Sequence, residues 1–256
     1  MKGLKFSIIT VCYNSGRQIS DAIESVVNQG YDSIEYIIID GGSSDETLDI
    51  VNKHKDDIDV VVSEKDDGIY DAMNKGISNA TGDIVGILNS DDYYVDERVV
   101  EKVSLAFENN PDIDVVLCGV EFVDSRNLSI VRRTYKSVGF KLWMLYAGIM
   151  PPHPGVFVRK SMLNQVGNYR VDFKIASDFD YMLRLLIGAK AKYLIKDDIV
   201  VRMREGGIST SGLASNLLST KEMHEALKSN GLISSYLLLA LRLPYKYVTQ
   251  IFGVRR

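Results

Sequence analysis

The sequence predicts an α/β protein with a mostly parallel sheet. In the first 110 residues, short apolar runs alternate with segments of helical spacing, the pattern of right-handed crossovers between parallel strands. The apolar runs are continuous and rich in β-branched residues, as strands buried on both faces are. Polar clusters follow these runs, and open α/β sheets bind ligands at the carboxyl ends of their strands.

Short β-branched runs mark the strands of this first half, and apolar side chains three and four residues apart mark its helices. The predicted strands are Phe6–Cys12, Tyr36–Ile39, Val60–Val62 and Ile84–Leu88. The predicted helices are Ile19–Val27, a segment opened by Asp45 that includes Leu48 and Val51, and Tyr70–Ile77.

The second half has a different character. Two apolar runs joined by a polar turn at Asp124–Asn127 predict antiparallel strands, and the prolines around His153 predict an irregular loop. The predicted strands are Val115–Val123, Ile130–Tyr135, Val156–Val158, Tyr193–Ile195 and Ile199–Met203, with an amphipathic helix over Ser177–Leu186 and helical structure from Leu213 onward. No linker-like segment interrupts residues 1–212, so we expect one domain there and a helical extension over residues 213–256.

Composition narrows the functional class. The chain has 46% hydrophobic and 25% charged residues and a net charge of −4, which is typical of a globular protein and argues against non-specific nucleic-acid binding. Two cysteines, Cys12 and Cys118, lie in apolar runs and predict buried thiols rather than disulfides. The first apolar run is short and has no cleavage site, so we expect a strand, no signal peptide and a cytoplasmic protein.

The most informative segment is Leu88-Asn89-Ser90-Asp91-Asp92, where an apolar strand ends in two adjacent carboxylates. Two neighbouring acids repel each other, and a compensating cation stabilises them. Mg²⁺ or Mn²⁺ prefers such oxygen ligands and in turn neutralises phosphate oxygens. The alternative is a polar turn, since Ser and Asp favour turns and helix caps.

Three further clusters follow predicted strands. Thr10–Asn14 places an aromatic ring and small polar groups at a strand end, and the alternative is a simple strand-to-loop transition. Asp40–Asp45 contains two glycines that allow close approach of a ligand, and Asp45 also reads as a helix cap. Glu64–Gly76 is highly charged, which is usual for a solvated loop before a helix. Neither the dinucleotide-binding glycine pattern nor a phosphate-binding lysine loop is present in these clusters.

Taken together, these clusters resemble the family 2 glycosyltransferases. The resemblance runs from about Phe6 to Ser209 and rests on Tyr13-Asn14, Asp40–Asp45, Asp67–Gly76 and Leu88–Asp92. It implies the GT-A fold, with a nucleotide-sugar half over residues 1–110 and an acceptor half over residues 111–212. It implies Asp92 as the ligand of Mn²⁺ or Mg²⁺. The implied donor-binding residues are Thr10, Tyr13, Asn14, Asp40, Gly41, Ser43, Asp67, Gly68, Asn74, Lys75 and Asp91.

The resemblance also implies a general base at Asp178, because family members carry an acid at the start of a helix in the acceptor half. Asp180 is the alternative base, and a dipole-favoured acid without catalytic role is the structural alternative. His153 matches a histidine that relatives place towards the active site, and it also fits a structural role. Arg202, Arg204 and the loop Gly206–Ser209 are candidates to close over the diphosphate.

The implied reaction is metal-dependent, inverting transfer of a hexosyl group from a nucleotide diphosphate sugar, most simply a UDP-sugar, to a glycan or lipid-linked acceptor. The implied setting is bacterial surface-polysaccharide synthesis. Alternatives from other classes are a nucleotidyltransferase that forms sugar nucleotides and a non-catalytic sugar-nucleotide-binding protein. The basic, apolar tail predicts binding to an anionic membrane surface on the cytoplasmic side. Its alternative is packing on the catalytic domain or on a second subunit, as an oligomer.

Overall fold

The computed structural model describes residues 3–206, 212–240 and 242, and nine strands of these residues form one mixed sheet. The strands lie in the order β3-β2-β1-β4-β8-β6-β9-β5, and β7 pairs with β6 at the side of this path. Their bounds are β1 Phe6–Cys12, β2 Ile34–Asp40, β3 Val60–Ser63, β4 Ile84–Asn89, β5 Asp92–Tyr94, β6 Val115–Val123, β7 Val131–Tyr135, β8 Val156–Arg159 and β9 Tyr193–Arg204.

The first four strands form the parallel half that the sequence predicts. β1 lies between β2 and β4 and is parallel to both, and β3 is parallel to β2 on its other side. In register, Cys12 lies opposite Asp40 and Val11 lies opposite Asn89. The carboxyl ends of β1, β2 and β4 therefore meet at one edge of the sheet, together with the polar clusters that follow them.

The second half of the sheet is mostly antiparallel. β8 is antiparallel to both β4 and β6, and β5 is antiparallel to β9. The predicted antiparallel pair β6 and β7 is confirmed. The sequence predicts two short strands at Tyr193–Ile195 and Ile199–Met203, but the structure has one continuous strand, β9. It pairs in parallel with β6, and the pairing shifts in register near the polar residues 196–198. Pairing with β6 thus overrides the polar interruption in the sequence.

Helices cover both faces of the sheet. Their bounds are α1 Ile19–Val27, α2 Thr47–Lys53, α3 Ile69–Asn79, α4 Val99–Asn109, α5 Lys160–Val166, α6 Ser177–Leu183, α7 Gly212–Ser229 and α8 Tyr236–Ala240. Alternate residues of the strands feed two cores: Ile9 and Ile37 pack in the same core as α3 and α6, whereas Ile8 and Ile38 pack in the same core as α1 and α4. The helix predicted over Ser177–Leu186 changes at Arg184 to a π-helical turn, Arg184–Gly188.

The helical extension packs on the second half of the domain. α7 packs against α6, and α8 packs against α7 and the 3₁₀ helix Leu142–Ala147. The helical structure predicted from Leu213 onward consists of α7 and α8, which are separated after Ser229 by a turn that includes Gly231 with a φ of 70°, and Leu239 of α8 is fully buried. Within the described residues, no helix is long and apolar enough to cross a membrane. The predicted tail contacts beyond residue 242 and the loop residues 207–209 lie outside the described residues.

Candidate active site

Asp40 organises the loop that it begins. It is fully buried, and its carboxylate accepts hydrogen bonds from the N–H groups of Gly42 and Ser43, both at 3.1 Å, and from the Ser63 hydroxyl at 2.7 Å. Gly42 has a φ of 83°, which allows the chain to turn back over the carboxylate. The donor-binding role predicted for Asp40 stays a prediction.

Asn14 ties the end of β1 to this loop. Its N–H donates to Ser43 Oγ at 2.8 Å, and its Oδ1 accepts the N–H of Ser44 at 2.9 Å. Its left-handed backbone, with a φ of 48°, is one that Asn adopts more readily than most residues. Tyr13, directly before it, has a 63% exposed side chain, so its ring is free to stack on a flat ligand at the strand edge.

Thr10 requires a correction to the predicted donor set. The residue is fully buried, and its hydroxyl lies 3.0 Å from the Tyr36 hydroxyl, beneath the strand edge. Strand alternation turns this side chain towards the second core, because neighbouring residues of a strand face opposite sides. Thr10 therefore supports β1 and β2 from below and does not reach a ligand.

Asp66 is the acid that approaches Gly41, and the donor contact predicted for its neighbour Asp67 stays a prediction. A Cβ added at Gly41 would lie 2.5 Å from a carboxylate oxygen of Asp66, so the glycine is needed for this close approach. Asp66 also accepts the N–H of Gly68 at 2.9 Å, while Asp67 is exposed. Gly68 takes a φ of 110° at the start of α3, a conformation that favours glycine. Two adjacent acids precede Gly68, and only the turn geometry decides which one points inward.

Asp91 and Asp92 close the same edge beyond β4. Asp92 is buried, with 1% exposure, and accepts one hydrogen bond, from Asn89 Nδ2 at 3.0 Å. Burial and the neighbouring Asp91 charge raise the pKa of the Asp92 carboxyl well above its usual range. Asn89 Oδ1 is buried beside it without a hydrogen bond within the described part of the chain. This pair of under-satisfied oxygens suits a hard cation.

Arg204 and Arg202 are engaged by the protein itself. Arg204 donates to the backbone oxygen of Asp91 at 2.6 Å and pairs with Asp21, so it holds the acidic turn in place. Arg202 pairs with Glu121 at 3.2 Å across β9 and β6. Both arginines thus support the sheet, and their predicted closure over a diphosphate stays a prediction. The remainder of that loop prediction, residues 207–209, lies outside the described residues.

Asn74 and Lys75 both make contacts within the protein, and their predicted donor contacts stay predictions. Asn74 Nδ2 donates to the backbone oxygen of Tyr169 at 2.9 Å, and its Oδ1 accepts the Tyr169 N–H at 2.7 Å. Lys75 Nζ forms ion pairs with Glu64 at 2.9 Å and Asp71 at 3.3 Å. The first residue joins α3 to the acceptor half, and the second ties α3 to the loop before it.

Asp178 lies at the first turn of α6, where its carboxylate accepts the N–H of Phe179 at 2.7 Å. Burial, aided by the negative charge of Glu222, outweighs this hydrogen bond and raises the pKa of Asp178 to about 7. Tyr70, the second residue of α3, donates its hydroxyl to the backbone oxygen of Ile175 at 2.7 Å. This bond ties the segment that carries Asp178 to the start of α3, beside the Asp66 loop.

Asp180, the alternative base, is occupied. It is 1% exposed, pairs with Arg184 Nε at 2.8 Å and accepts Asn230 Nδ2 at 2.9 Å. It therefore joins α6 to the end of α7 and has no oxygen directed to solvent for proton transfer. The i, i+4 spacing of Asp180 and Arg184 is the sequence signal that identifies this pair.

His153 takes the structural role of its two predicted alternatives. Its Nε2 lies 2.8 Å from the Tyr169 hydroxyl, and burial lowers the pKa of the imidazole to about 4. The rings of Tyr169 and Tyr181 stack at 4.2 Å on the same cluster. A neutral histidine in this aromatic cluster supports the segment around Tyr169 and carries no charge for a phosphate.

The sequence matches the family described as Glycosyl transferase family 2 over residues 7–174, well over half of the chain. The chain belongs to this family. The predicted identity is thereby confirmed, and the protein is a glycosyltransferase. An uncharacterized glycosyltransferase of Mycobacterium tuberculosis (strain H37Rv) is 30% identical to it, over 82% of this chain and 77% of that protein. A PGL/p-HBAD biosynthesis glycosyltransferase of Mycobacterium bovis BCG is 28% identical, over 70% of this chain and 68% of the relative.

Solved structures share the fold of this glycosyltransferase. S. aureus TarS in complex with UDP-GlcNAc superimposes with a TM-score of 0.68 at 18% identity, over 98% of this chain and 73% of TarS. The mannosyltransferase PcManGT from Pyrobaculum calidifontis, in complex with GDP-Man and Mn²⁺, gives a TM-score of 0.63 at 16% identity, over 99% of this chain and 86% of the other. The predicted GT-A fold with C-terminal helices is thereby confirmed.

Sequence reasoning missed three residues of this site. Asp66 was passed over for its neighbour, while Tyr70 and Glu222 carry no motif that marks their role. Tyr70 and Glu222 act through backbone groups distant in sequence, and the nearest of these contacts for Glu222 spans 46 residues. No local pattern reports such a partner.

Proposed function

We propose that this glycosyltransferase moves a hexosyl group, with inversion, from a nucleotide diphosphate sugar to a hydroxyl of a glycan or lipid-linked acceptor. The observation that carries the proposal is Asp178, a carboxyl whose pKa lies at about 7 and whose segment is tied to the start of α3 beside the strand edge. A base must be unprotonated near neutral pH and yet hold a proton well, and a pKa near the working pH meets both needs.

We assign donor binding to the edge of the sheet at which the carboxyl ends of β1, β2 and β4 meet. The exposed ring of Tyr13 supplies a face for a nucleobase, and the Asp66 and Asp91 carboxylates supply acceptors for ribose or sugar hydroxyls. The fold neighbours with UDP-GlcNAc and GDP-Man support a nucleotide-sugar donor. We take a UDP-sugar as the first donor to test, as the motif resemblance implies.

A divalent cation, Mn²⁺ or Mg²⁺, fits the acidic turn. Asp92 would hold it, with Asp91 beside it, because the buried Asp92 carboxylate has one hydrogen-bond donor and a raised pKa. When bound, such a cation neutralises the diphosphate of the leaving nucleotide. The Mn²⁺ complex of the mannosyltransferase neighbour supports the use of a divalent metal.

The transfer is a single displacement at the anomeric carbon. Asp178 takes the proton of the acceptor hydroxyl while the acceptor oxygen bonds to the sugar, and the nucleotide diphosphate leaves from the opposite face. Asp180 has no part in this step, because Arg184 and Asn230 occupy its oxygens.

We assign the acceptor to a membrane surface, in the setting of bacterial surface-polysaccharide synthesis. Ile233 and Leu237 around the start of α8 are 85% and 77% exposed, and Trp143 of the adjoining 3₁₀ helix is 61% exposed. Residues 226–256 hold five basic residues and no acid. Exposed apolar side chains in a basic stretch of the sequence suit an anionic lipid surface. A lipid-linked acceptor would then be presented to the enzyme at that surface.

A panel of UDP-glucose, UDP-galactose, UDP-GlcNAc and GDP-mannose with Mn²⁺ tests the proposal. We expect release of the nucleoside diphosphate from one donor, with dependence on Mn²⁺ and loss in Asp178→Asn. Donor binding without any release identifies a non-catalytic binding protein. Formation of a sugar nucleotide from a sugar phosphate and a nucleoside triphosphate identifies a nucleotidyltransferase. Either result contradicts the proposed function.

A further inference from the structure

Glu222 of α7 accepts hydrogen bonds from the backbone of the turn that leads into α6. Its Oε1 accepts the N–H of Lys174 at 2.9 Å, and its Oε2 accepts the N–H groups of Ile175 at 2.9 Å and Ala176 at 2.8 Å. The glutamate is buried, with 6% exposure. Three successive backbone N–H groups thus converge on one carboxylate, an arrangement that fixes a backbone strongly because each hydrogen bond is charge-assisted.

The same turn is held from the opposite side. Tyr70 of α3 donates its hydroxyl to the backbone oxygen of Ile175 at 2.7 Å, so the peptide groups around Ile175 bond to α3 and α7 at once. Asp178 follows Ala176 by two residues and enters α6 directly from this turn. The direction of the Asp178 side chain is therefore set by contacts to two helices that are remote in the sequence.

We propose that Glu222 is a positioning residue for the general base, so that α7 is a working part of the transferase site rather than an appendage to it. The inference rests on the proposed function of Asp178. Glu222 does not touch the substrate; it holds the turn from which the base is presented. A displacement of about 1 Å at a reacting group costs up to about 100-fold in rate, which is why such a support matters.

Removal of the Glu222 charge has a second, separable effect. The ionisable groups that face Asp178 are Glu222 from α7, Tyr70 from α3 and Tyr169 from the segment before α6. Burial raises the pKa of both tyrosines, so neither titrates near neutral pH. Burial and the Glu222 charge together raise the pKa of Asp178 to about 7. Without that charge, the acidic limb of the activity profile moves to lower pH.

The test is Glu222→Gln in the full-length protein, assayed with the donor that the wild type turns over. Glutamine offers one carbonyl oxygen and places an NH₂ donor against the remaining amides, so the turn loosens. We expect kcat to fall by about 10- to 100-fold with donor affinity unchanged by calorimetry. We also expect the acidic limb to shift to lower pH and hydrogen exchange at residues 174–176 to accelerate. Glu222→Asp keeps the negative charge on a shorter side chain. The acidic limb of its pH profile should therefore lie where that of the wild type lies, while its kcat should be as low as that of Glu222→Gln.

Glu225→Gln is the matched control, since Glu225 lies on the same helix but pairs with the Arg170 side chain at 3.1 Å rather than with the N–H groups of residues 174–176. In an Asp178→Asn background, Glu222→Gln should cause no further loss, because a support has no effect once its base is gone. A Glu222→Gln enzyme with wild-type kcat and an unshifted limb overturns the inference, as does an equal loss in Glu225→Gln. If Glu222→Gln does not fold, wild-type kcat in Glu222→Asp overturns the inference as well. A wild type inactive on every donor overturns the proposed function instead, and slow exchange at residues 174–176 still measures the Glu222 contact.

Discussion

Asn74 and Tyr169 exchange two hydrogen bonds across 95 residues of sequence, at 2.9 and 2.7 Å. The amide of one side chain satisfies both the N–H and the C=O of a single peptide residue, as a neighbouring strand would. Four residues earlier on the same face of α3, Tyr70 bonds to the backbone of Ile175. The helix α3 therefore fixes the segment from Tyr169 to Ile175, which precedes the proposed base Asp178.

Replacement of this amide should uncouple the two halves. We predict that Asn74→Ala lowers the free energy of unfolding by about 1–3 kcal/mol, because two partly buried backbone groups lose their partner. Transfer should fall more than donor affinity, since the base segment shifts and the strand edge does not. Asn79→Ala, at the exposed end of the same helix, is the control and should cost about 0.5 kcal/mol or less. Chemical denaturation and calorimetry measure both; equal effects of the two changes contradict the prediction.

The base should define the pH dependence. With a pKa of about 7, Asp178 is protonated below that pH and cannot accept a proton, so the rate should decline as the pH falls through about 7. Asp178→Asn should keep donor affinity and lose transfer by about 10²–10⁴-fold. Asp180→Asn should instead lower the melting temperature, because it breaks the pair with Arg184. Initial rates from pH 5 to 9 with a saturating donor test whether Asp178 is the general base. A flat profile, or full activity in Asp178→Asn, would show that it is not.

The acidic turn should bind a cation. In Asp92→Asn, a neutral amide replaces a buried carboxyl with a raised pKa, so the protein should be as stable as the wild type without metal. The rise in melting temperature on addition of Mn²⁺ and a nucleoside diphosphate should disappear in this variant. Asp112→Asn, at an exposed loop, serves as the control. A full Mn²⁺ response in Asp92→Asn would place the metal elsewhere.

Acid should weaken the opposite edge of the sheet through Glu35. Burial works to raise its pKa, but hydrogen bonds from Ser7, Thr81 and Lys5 outweigh this and lower it from 4.5 to about 2. A lowered pKa stabilises the folded state fully above the unfolded value of 4.5, and this contribution is lost as the pH falls towards 2. At neutral pH we expect Glu35→Gln to cost roughly 2–3 kcal/mol, with the difference from wild type shrinking below pH 4.5. Urea unfolding at several pH values measures it, with the exposed Glu97→Gln as control.

Membrane binding should depend on the exposed side chains before and within α8. We predict that the wild type floats with phosphatidylglycerol-containing liposomes and that Ile233→Glu with Leu237→Glu does not, because charge replaces the inserted apolar groups. Deletion of the whole tail is a poorer test, since Leu239 is buried in the domain. Leu105→Glu, at an exposed position of α4, is the matched control and should float. If all three proteins float equally, or none floats, the tail does not bind the membrane and instead packs on the domain or on a second subunit.

The sequence by itself determined the parallel half of this protein and the edge that carries the site. The strands at Phe6–Cys12 and Ile84–Asn89 are mainly apolar and alternate with helical segments, a pattern typical of buried parallel strands. Asp91 and Asp92 come shortly after the end of one of these strands, β4. These features are local, so a pattern of neighbouring residues suffices to predict them.

Only the tertiary structure decided which polar side chains remain free. Thr10 and Asn74 have polar groups that could bind a ligand. In the folded protein, however, Thr10 bonds to Tyr36 and Asn74 bonds to Tyr169. Glu222 has no motif, yet it holds the turn before Asp178. The physical reason is the same in each case. A side chain's role depends on the partner that its polar atoms meet, and packing brings that partner from 26 to 95 residues away.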